Sequence, residues 1–369
     1  MKIFERVNRP LLFSVAAVAI AASCQKPQDN LLELDPLDDG TPVKVLLGTN
    51  VINATAKASG PLDKFNSTTL SIFAIDKASR DWTQGDPFLL KNYSVTTEAN
   101  LTSTPTSIET DKYYKDNVNY KFFGYYVDDL PHADEQLTVT HDAVTLPVAI
   151  TGYEDILLAT TDEEADYADA QNNNPKFNTN RVYSAYSARR DVVPNLVFNH
   201  QLTRLDFVFE TGEAIDENTK VEVVGIAVGS VKNGLLTVAG DGQGLVPANE
   251  NEVDLPLKYP TETAPLAMPS AKGDNANFGD NGNSIMVYPK SDSYKLAIKI
   301  RQSKYVSGRW TDGTVEERTF AIALSGAAAF EAGKKYEVTV ITYGMEPVIV
   351  GVKLSDWAVG ENVTIDSDK

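Results

Sequence analysis

Hydrophobic and polar residues alternate with a period of two over much of the second half of the chain. Around residue 298, for example, Leu296, Ile298 and Ile300 alternate with lysine and arginine. The same pattern recurs in three further sets: Phe320, Ile322 and Leu324; Tyr336, Val338 and Val340; and Val348, Val350, Val352 and Leu354. A period of two places one face of a strand on a core and the other in water. Gly344–Pro347 predicts a turn that folds the last two of these strands into a hairpin.

Hydrophobic runs in the first half predict more strands. Val43–Ile52 is rich in β-formers, and Leu70–Ile75 is apolar enough to be a buried strand. Tyr120–Val127 carries aromatic residues on both faces, as a central strand packed on two sides does. Short strands follow at Leu137–Thr140 and Ala143–Ile150, separated by clusters of turn-forming residues.

The stretch Leu196–Glu210 changes the phase of its alternation. Its apolar positions are even-numbered before Thr203 and odd-numbered after it. One inserted residue shifts the phase of a strand in this way, so the pattern predicts a single strand with a β-bulge near Thr203.

Three consecutive segments between these strands lack the alternation of a strand. Asp155–Ala170 is acidic, with scattered alanine and leucine, and predicts a short helix; Gln171–Asn180 is a loop by composition. Arg181–Pro194 holds the densest basic patch of the chain, formed by Arg181, Arg189 and Arg190, and is predicted as a domain boundary.

Many short strands without long helical periods indicate an all-β protein built from β-sandwiches with few short helices. No repeat of 20–50 residues is visible. The length favours two domains, an N-terminal β domain at 43–194 and a C-terminal β domain at 195–369.

The start of the chain predicts export. Lys2, Arg6 and Arg9 precede the short apolar run Leu11–Cys24, which is below the roughly 18–20 residues that cross a bilayer as a helix. Its end, Ala-Ala-Ser-Cys, resembles a bacterial lipobox, in which the cysteine is lipidated and becomes the first mature residue. Residues 1–23 are therefore predicted as a lipoprotein signal peptide, with lipid on Cys24. An ordinary signal whose removal leaves a free thiol is the alternative.

Residues 24–42 are polar and acidic, contain three prolines and predict a tether between the lipid and the first domain. Two acyl chains are enough for firm attachment to a membrane. Because Cys24 is the only cysteine of the chain, no intramolecular disulfide can form.

The net charge limits the partners. The chain carries −18 at pH 7, and removal of residues 1–23, which carry +2, would leave −20 on 346 residues. So strong an acidic excess opposes nucleic-acid binding and is typical of a solvated surface.

No set of residues indicates catalysis or a cofactor. The histidines His132, His141 and His200 lack partners at metal-ligand spacing, and no hydrolase, zinc-protease or phosphate-loop motif is present. The glycine-rich segments 240–244 and 273–283 fail the register of a calcium loop and are interpreted as turns. No metal site and no enzyme are therefore predicted.

Four aromatic residues are the basis of a second hypothesis. Trp82, Tyr113, Tyr114 and Trp310 are candidates for a surface on which sugars stack, although core or rim packing is the commoner role of such residues. On this alternative the protein is a non-polymerising surface lipoprotein that binds glycans through a β-sandwich face.

Two stretches resemble the fimbrillin family, the type V pilus subunits and their anchor relatives. Asn195–Phe207 reads NLVFNHQLTRLDF, similar to the family's opening of its second domain. Phe330–Val340 reads FEAGKKYEVTV and is followed by a hairpin and by Ser-Asp-Trp at 355–357, similar to the family's close of that domain. The resemblance implies two β-sandwich-like (transthyretin-like) domains in tandem, no catalysis and other pilus subunits as partners, in a homo- or hetero-polymer.

The resemblance also implies how such subunits assemble and adhere. Family stalk subunits are exported as lipoproteins and cut in an N-terminal loop, so that the first strand leaves and a strand of a neighbouring subunit fills the groove. Here Val43–Ile52 would be the removable strand and Asn53–Asn66 the loop. The family's usual arginine is missing, and Lys57 and Lys64 are the candidate cut sites.

The donor strand would come from Val348, Val350, Val352 and Leu354 or from Asn362–Ile365. An uncut chain would instead stay on the outer membrane through Cys24, as anchor relatives do. In either role the protein is expected at the cell surface or in a fimbrium, mediating adhesion to a host or bacterial surface ligand.

Overall fold

The computed structural model describes residues 40–51, 68–97, 106–128, 136–276, 284–311, 313–324 and 329–355. Several sequence predictions fall outside these residues and stay predictions: the signal peptide and Cys24, the candidate cut sites Lys57 and Lys64, and the alternative donor Asn362–Ile365.

Strands dominate the described part of the chain, so the protein is all-β, as predicted. The strands of the first part are β1 (Lys44–Val51), β2 (Thr69–Asp76), β3 (Phe88–Thr96), β4 (Thr106–Tyr113), β5 (Tyr120–Val127), β6 (Thr138–Val139), β7 (Ala143–Ala149), β8 (Ile156–Thr161), β9 (Asn195–His200), β10 (Thr203–Thr211) and β11 (Thr219–Val231). Those of the second part are β12 (Asn233–Gly240), β13 (Gly244–Pro247), β14 (Glu252–Pro256), β15 (Leu266–Ala267), β16 (Asn275–Ala276), β17 (Ser284–Val287), β18 (Ser293–Val306), β19 (Arg309–Trp310), β20 (Thr314–Ala323), β21 (Lys335–Tyr343) and β22 (Glu346–Ser355). The described helices are α1 (Glu163–Asn173) and α2 (Ala185–Ala188), with a 3₁₀ turn at Thr179–Arg181.

A seven-stranded sheet is built mainly from the first part of the chain, in the order β3-β2-β5-β8-β9-β1-β4. Its strands pair antiparallel except β1 and β9, which run parallel. β5 lies between β2 and β8 and buries both of its faces, which confirms the prediction of a central strand at Tyr120–Val127.

The remaining strands form three smaller sheets. One has the order β16-β10-β21-β22, with β17 also on β10; a second has the order β14-β11-β18-β19, with β15 on β11 and β20 on β18; the third has the order β13-β12-β7-β6. The strands predicted from alternation are present, and Leu296, Ile298 and Ile300 on β18 are fully buried. The predicted terminal hairpin is confirmed, because β21 and β22 pair antiparallel around Gly344.

One sequence prediction of local structure was wrong. Leu196–Glu210 is not one bulged strand: β9 ends at His200 in the seven-stranded sheet, and β10 begins at Thr203 in another sheet. The phase changes because the chain changes sheets. The short helix predicted within Asp155–Ala170 is present as α1; it begins at Glu163, because the apolar residues before it form the buried strand β8.

Two hydrophobic clusters cover the two faces of the seven-stranded sheet. The first joins residues such as Phe73 and Phe123 to the strands of the smaller sheets. The second, called here the β1 core, contains Val45 and Leu47 of β1 and is closed by aromatic residues of the α1–α2 region, including Tyr183. Central strands of the sheet therefore bury apolar residues on both sides.

The described strands belong to one compact unit that begins at Gly40. Strands from the two sides of the predicted boundary at 194/195 pair with each other. β9 joins β1 and β8 in the seven-stranded sheet, and β12 pairs with β7. The division into domains 43–194 and 195–369 stays a prediction. Within the described residues, no helix is long and apolar enough to cross a membrane.

Candidate functional site

The strand predicted to be removable, β1, lies inside a sheet and not at its edge. Its partners are β4, antiparallel, with Leu47 opposite Ile108, and β9, parallel, with Gly48 opposite Asn195. Loss of β1 would therefore open a groove one strand wide between β4 and β9. Both walls of that groove would present unpaired backbone groups, which are a template for an incoming strand.

The buried side chains of β1 would leave an apolar floor behind them. Val45 and Leu47 are fully buried in the β1 core. Burying a valine or leucine side chain contributes about 1.5–3 kcal/mol each. An empty groove is therefore costly, and an incoming strand with apolar residues at alternate positions would recover that free energy.

Backbone contacts at both sides hold β1 in register. The Gly48 amide donates to the Pro194 carbonyl at 2.8 Å, and the Thr110 hydroxyl donates to the Val45 carbonyl at 2.9 Å. Thr110 is buried on β4, where the pairing with β1 shifts register around Val45. A side-chain hydroxyl thus satisfies a carbonyl at the irregular point of the ladder.

The β4 wall also has contacts with elements other than β1. Although β3 and β4 are the outer strands of the sheet, the Tyr93 hydroxyl of β3 donates to the Asp111 carboxylate of β4 at 2.9 Å. Directly after β4, Tyr114 is buried and packs its ring against Tyr120 and Phe122. Burial raises the pKa of the Tyr114 hydroxyl, so the ring stays neutral and apolar.

The basic patch predicted at Arg181–Pro194 is turned toward the protein. The Arg190 guanidinium lies 3.7 Å from the centre of the Tyr186 ring, which is a cation–π distance. Arg189 donates to the Thr41 carbonyl at 2.5 Å, just before β1. These arginines therefore fasten α2 and the approach to β1, and they are not a patch reserved for an anionic ligand.

Helix α1 is linked to the start of β9 through one carboxylate. Asp166 accepts hydrogen bonds from the Tyr183 hydroxyl at 2.6 Å and from the Asn195 amide at 2.8 Å. Burial raises the pKa of the Asp166 carboxyl. Sequence reasoning missed this link, as it missed the Tyr93–Asp111 contact, because the partners are distant in sequence and carry no local pattern.

The candidate donor residues lie on β22, at the end of the sheet order β16-β10-β21-β22. Val352 is opposite Val338 of β21, is half-buried and packs against the first cluster, whereas Leu354 is 43% exposed. The side chains of Val348 and Val350 lie outside the described residues, although their backbone belongs to β22. In this state β22 therefore pairs with β21 of the same chain and is the last strand in its sheet.

The two described histidines, His141 and His200, lie on separate segments of the chain. Buried His200 lies 2.9 Å (Nδ1···Oδ1) from the buried carboxylate of Asp155, which fits a structural side chain. His141 is exposed, and His132 lies outside the described residues. Among the described residues no group of three or more histidine, cysteine or acidic side chains is placed to hold a metal ion.

The candidate sugar-stacking residues lie on separate elements. Trp82 is half-buried in the β2–β3 loop against Phe88, Tyr113 is exposed at the end of β4, and Tyr114 is buried. Trp310 is 45% exposed on β19. The structure thus places these aromatics on three different segments of the chain.

A pocket of about 290 Å³ lies where β5 and β8 meet the β12–β13 turn. Its lining is mostly polar, and Lys121 and Asp241 form an ion pair across it at 3.1 Å. Gly240 and Gly242 in that turn have φ of 126° and 89°, which explains this glycine-rich stretch as turn chemistry.

Comparison with protein families gives a match over most of the chain. The family model described as fimbrillin-like matches residues 58–357. A comparison with curated proteins gives no match.

Solved structures with similar coordinates include the following three. A proposed cell adhesion protein from Bacteroides uniformis is 15% identical, with 87% of this chain and 99% of that chain covered and a TM-score of 0.47. A fimbrial protein from Bacteroides vulgatus is 14% identical, with 86% and 100% covered and a TM-score of 0.45. The fimbrial anchor protein Mfa2 from Porphyromonas gingivalis is 11% identical, with 87% and 100% covered and a TM-score of 0.35.

Proposed function

The chain belongs to the fimbrillin-like family, and on this basis we propose that it is a structural subunit of a pilus that assembles by strand exchange at the β1 position. The family is structural and not enzymatic, and its function is related to pili. Its members act with other pilus subunits, at the cell surface or in the fimbrium. Strand exchange, the lipid anchor and adhesion are the parts that we propose for this chain.

The observation that carries the proposal is the interior position of β1. A strand that leaves from a sheet edge opens no groove, whereas β1 has a partner on each side and two fully buried side chains. A strand of a neighbouring subunit that occupied this place would gain backbone hydrogen bonds on both edges and an apolar floor. The contacts that Tyr93 makes with β4 and that Tyr114, directly after β4, makes with β5 support a groove that keeps both walls.

The donor in this proposal is β22, with Val348, Val350, Val352 and Leu354 as the residues that enter the groove. Its alternation matches the period of pockets in a sheet face. Leu354, already exposed in the isolated chain, can leave its present position with little loss of burial.

The lipid on Cys24 supplies export and attachment to the outer membrane. In a stalk subunit, cleavage after Lys57 or Lys64 releases β1 together with the lipid. In an anchor the chain stays uncut, and Cys24 holds the fibre. Adhesion to a host or bacterial surface follows from either place in the fibre.

Polymerisation of purified protein tests the exchange. The chain that lacks residues 1–57 is mixed with the chain that starts at Cys24, and detergent-resistant oligomers are resolved on gels. We expect a ladder from the mixture. Monomers throughout would contradict the stalk role.

Two matched substitutions identify the donor. Leu354→Asp and Val315→Asp each place a carboxylate on a side chain that is exposed in the monomer, at 43% and 44% respectively. We expect Leu354→Asp to abolish the ladder, because a charge would be buried in the apolar groove, and Val315→Asp to leave it intact. A ladder that survives Leu354→Asp refutes β22 as the donor strand.

A further inference from the structure

A two-stranded hairpin extends beyond its sheet and exposes apolar side chains. β18 pairs with β11 as far as Lys304 and with β20 as far as Gln302. Beyond these positions its ladder partner among the described residues is β19, with Tyr305 opposite Trp310, and the Tyr305 amide also donates to the Asn218 carbonyl at 2.8 Å. The segment Lys304–Trp310, called here the β18–β19 tip, therefore projects from the body as a hairpin two strands wide.

The turn of the tip is built to hold this shape. Ser307 and Gly308 form the two-residue loop and have φ of 53° and 86°. Positive φ at both central residues is the geometry of a type I′ turn, whose twist matches that of the flanking strands. The tip is thus an ordered projection with a defined direction.

The tip exposes more apolar surface than its own stability requires. The rings of Tyr305 and Trp310 pack edge to face with their centroids 5.3 Å apart. Such a cross-strand pair stabilises the hairpin. Yet these two rings remain 44% and 45% exposed, and Val306 beside them is 52% exposed. Clustered exposed apolar side chains rimmed by polar residues mark contact surfaces on soluble proteins.

The charge of the tip is opposite to that of the protein. Residues 303–311 contain Lys304 and Arg309 and no acidic residue, in a chain of net charge −18. Lys304 lies 3.7 Å from Asp216, whereas Arg309 is exposed and has no ion-pair partner among the described residues. A cationic, aromatic projection complements an acidic surface.

We propose that the β18–β19 tip docks on the acidic surface of a second copy of this chain. On the proposed function, assembly into a fibre brings a second copy close, and that copy carries a net charge of −18, opposite in sign to the charge of the tip. The edge-to-face angle of 61° between the two rings gives no flat platform for a sugar ring, so a protein surface fits the tip better than a glycan does. This contact goes beyond strand exchange, since it needs neither cleavage nor an empty groove.

Photo-crosslinking of the mature, uncut chain tests the proposal apart from strand exchange. A photoreactive amino acid replaces Val306 in one preparation and Val253, which is 40% exposed on β14, in a control preparation. Adducts are measured at about 0.05 M and about 0.5 M salt, because exposed charges are screened at the higher concentration.

The proposal predicts a covalent dimer from the Val306 position. Its yield should fall about fivefold at the higher salt, which corresponds to the upper end of the free energy that one exposed ion pair contributes. Arg309→Glu should reduce the dimer similarly, with unchanged circular dichroism and thermal midpoint, and Trp310→Ala should also reduce it. The control double variant Lys258→Glu/Val253→Ala makes the same charge change as Arg309→Glu and also removes one exposed apolar side chain. This control should leave the yield of the dimer unchanged.

Three outcomes would overturn the proposal. They are the absence of a Val306 adduct, an equal yield from Val253, and crosslinking on cells only to a glycan or an unrelated protein. If Arg309→Glu fails to fold, the salt dependence of the Val306 adduct in the unsubstituted chain decides. A ladder of strand-exchanged oligomers without this crosslink would leave the proposed function standing and refute the tip contact alone.

Discussion

Truncation of one buried side chain on β1 should loosen that strand without loosening the whole protein. Leu47 is fully buried, and replacing such a leucine by alanine costs about 3 kcal/mol through lost burial and the cavity left behind. If β1 opens separately, this cost raises its opening equilibrium about 100-fold, since about 1.4 kcal/mol corresponds to a factor of ten.

Hydrogen exchange followed by mass spectrometry measures where that opening occurs. In Leu47→Ala we expect exchange to accelerate in β1 and in its neighbours β4 and β9, because their amides lose partners when β1 leaves. The matched variant Leu296→Ala truncates an equally buried leucine on β18. It should accelerate exchange in β11, β18 and β20 and spare β1.

The reasoning fails if both variants accelerate exchange in the same peptides by the same factor. That result would mean that β1 opens only when the whole compact unit unfolds. A strand that cannot leave separately is a poor candidate for exchange.

Three other substitutions test contacts described above. Glu222 is buried and paired with Arg301 at 2.8 Å; burial alone would raise its pKa, but the ion pairs hold the pKa below the ordinary 4.5. A carboxylate with a lowered pKa stabilises the fold at pH values above its unfolded-state pKa, and this stabilisation is lost as the pH falls through its folded-state pKa. Glu222→Gln should therefore lower the free energy of unfolding by about 1–3 kcal/mol at pH 7. Urea titrations should show that the difference in unfolding free energy between the two proteins shrinks below pH 4.5; a difference that is constant with pH would contradict the assignment. Tyr93→Phe removes the hydrogen bond to Asp111 and should speed exchange in β4 while changing global stability by only about 1 kcal/mol; unchanged exchange in β4 would show that the contact does not hold this wall. Gly124→Ala should destabilise by about 1–3 kcal/mol in thermal melts, because its new Cβ would lie 2.8 Å from a ring carbon of Phe198; an unchanged midpoint would show that the two strands can separate without cost.

Local periodicity was enough to predict most strands but not their partners. The alternation around Leu296 and the two-sided aromatic pattern of β5 record burial directly, and both predictions are confirmed. The phase change at Thr203 was visible, but its cause was not, because a bulge and a change of sheet leave the same pattern in one strand. Only the pairing of β9 with β1 and of β10 with β21 separates the two cases.

The site was predictable in part for the same reason. The strand Val43–Ile52 was predicted from its β-forming residues and its removal from the family resemblance, whereas its interior place between β4 and β9 emerged from non-local pairing. The Tyr93–Asp111 and Asp166–Asn195 contacts join residues of ordinary type that are far apart in sequence. Such contacts depend on sheet order, which no local pattern records.

The N-terminus of the protein in sheared surface fibres tests the central claim most directly, because strand exchange in a stalk requires β1 to leave. N-terminal sequencing and intact mass of the fibre protein should show a chain that begins at Ala58 after a cut at Lys57, or at Phe65 after a cut at Lys64, with β1 and Cys24 absent. Fibres built throughout from chains that still begin with a lipidated Cys24 and retain residues 44–51 would contradict it.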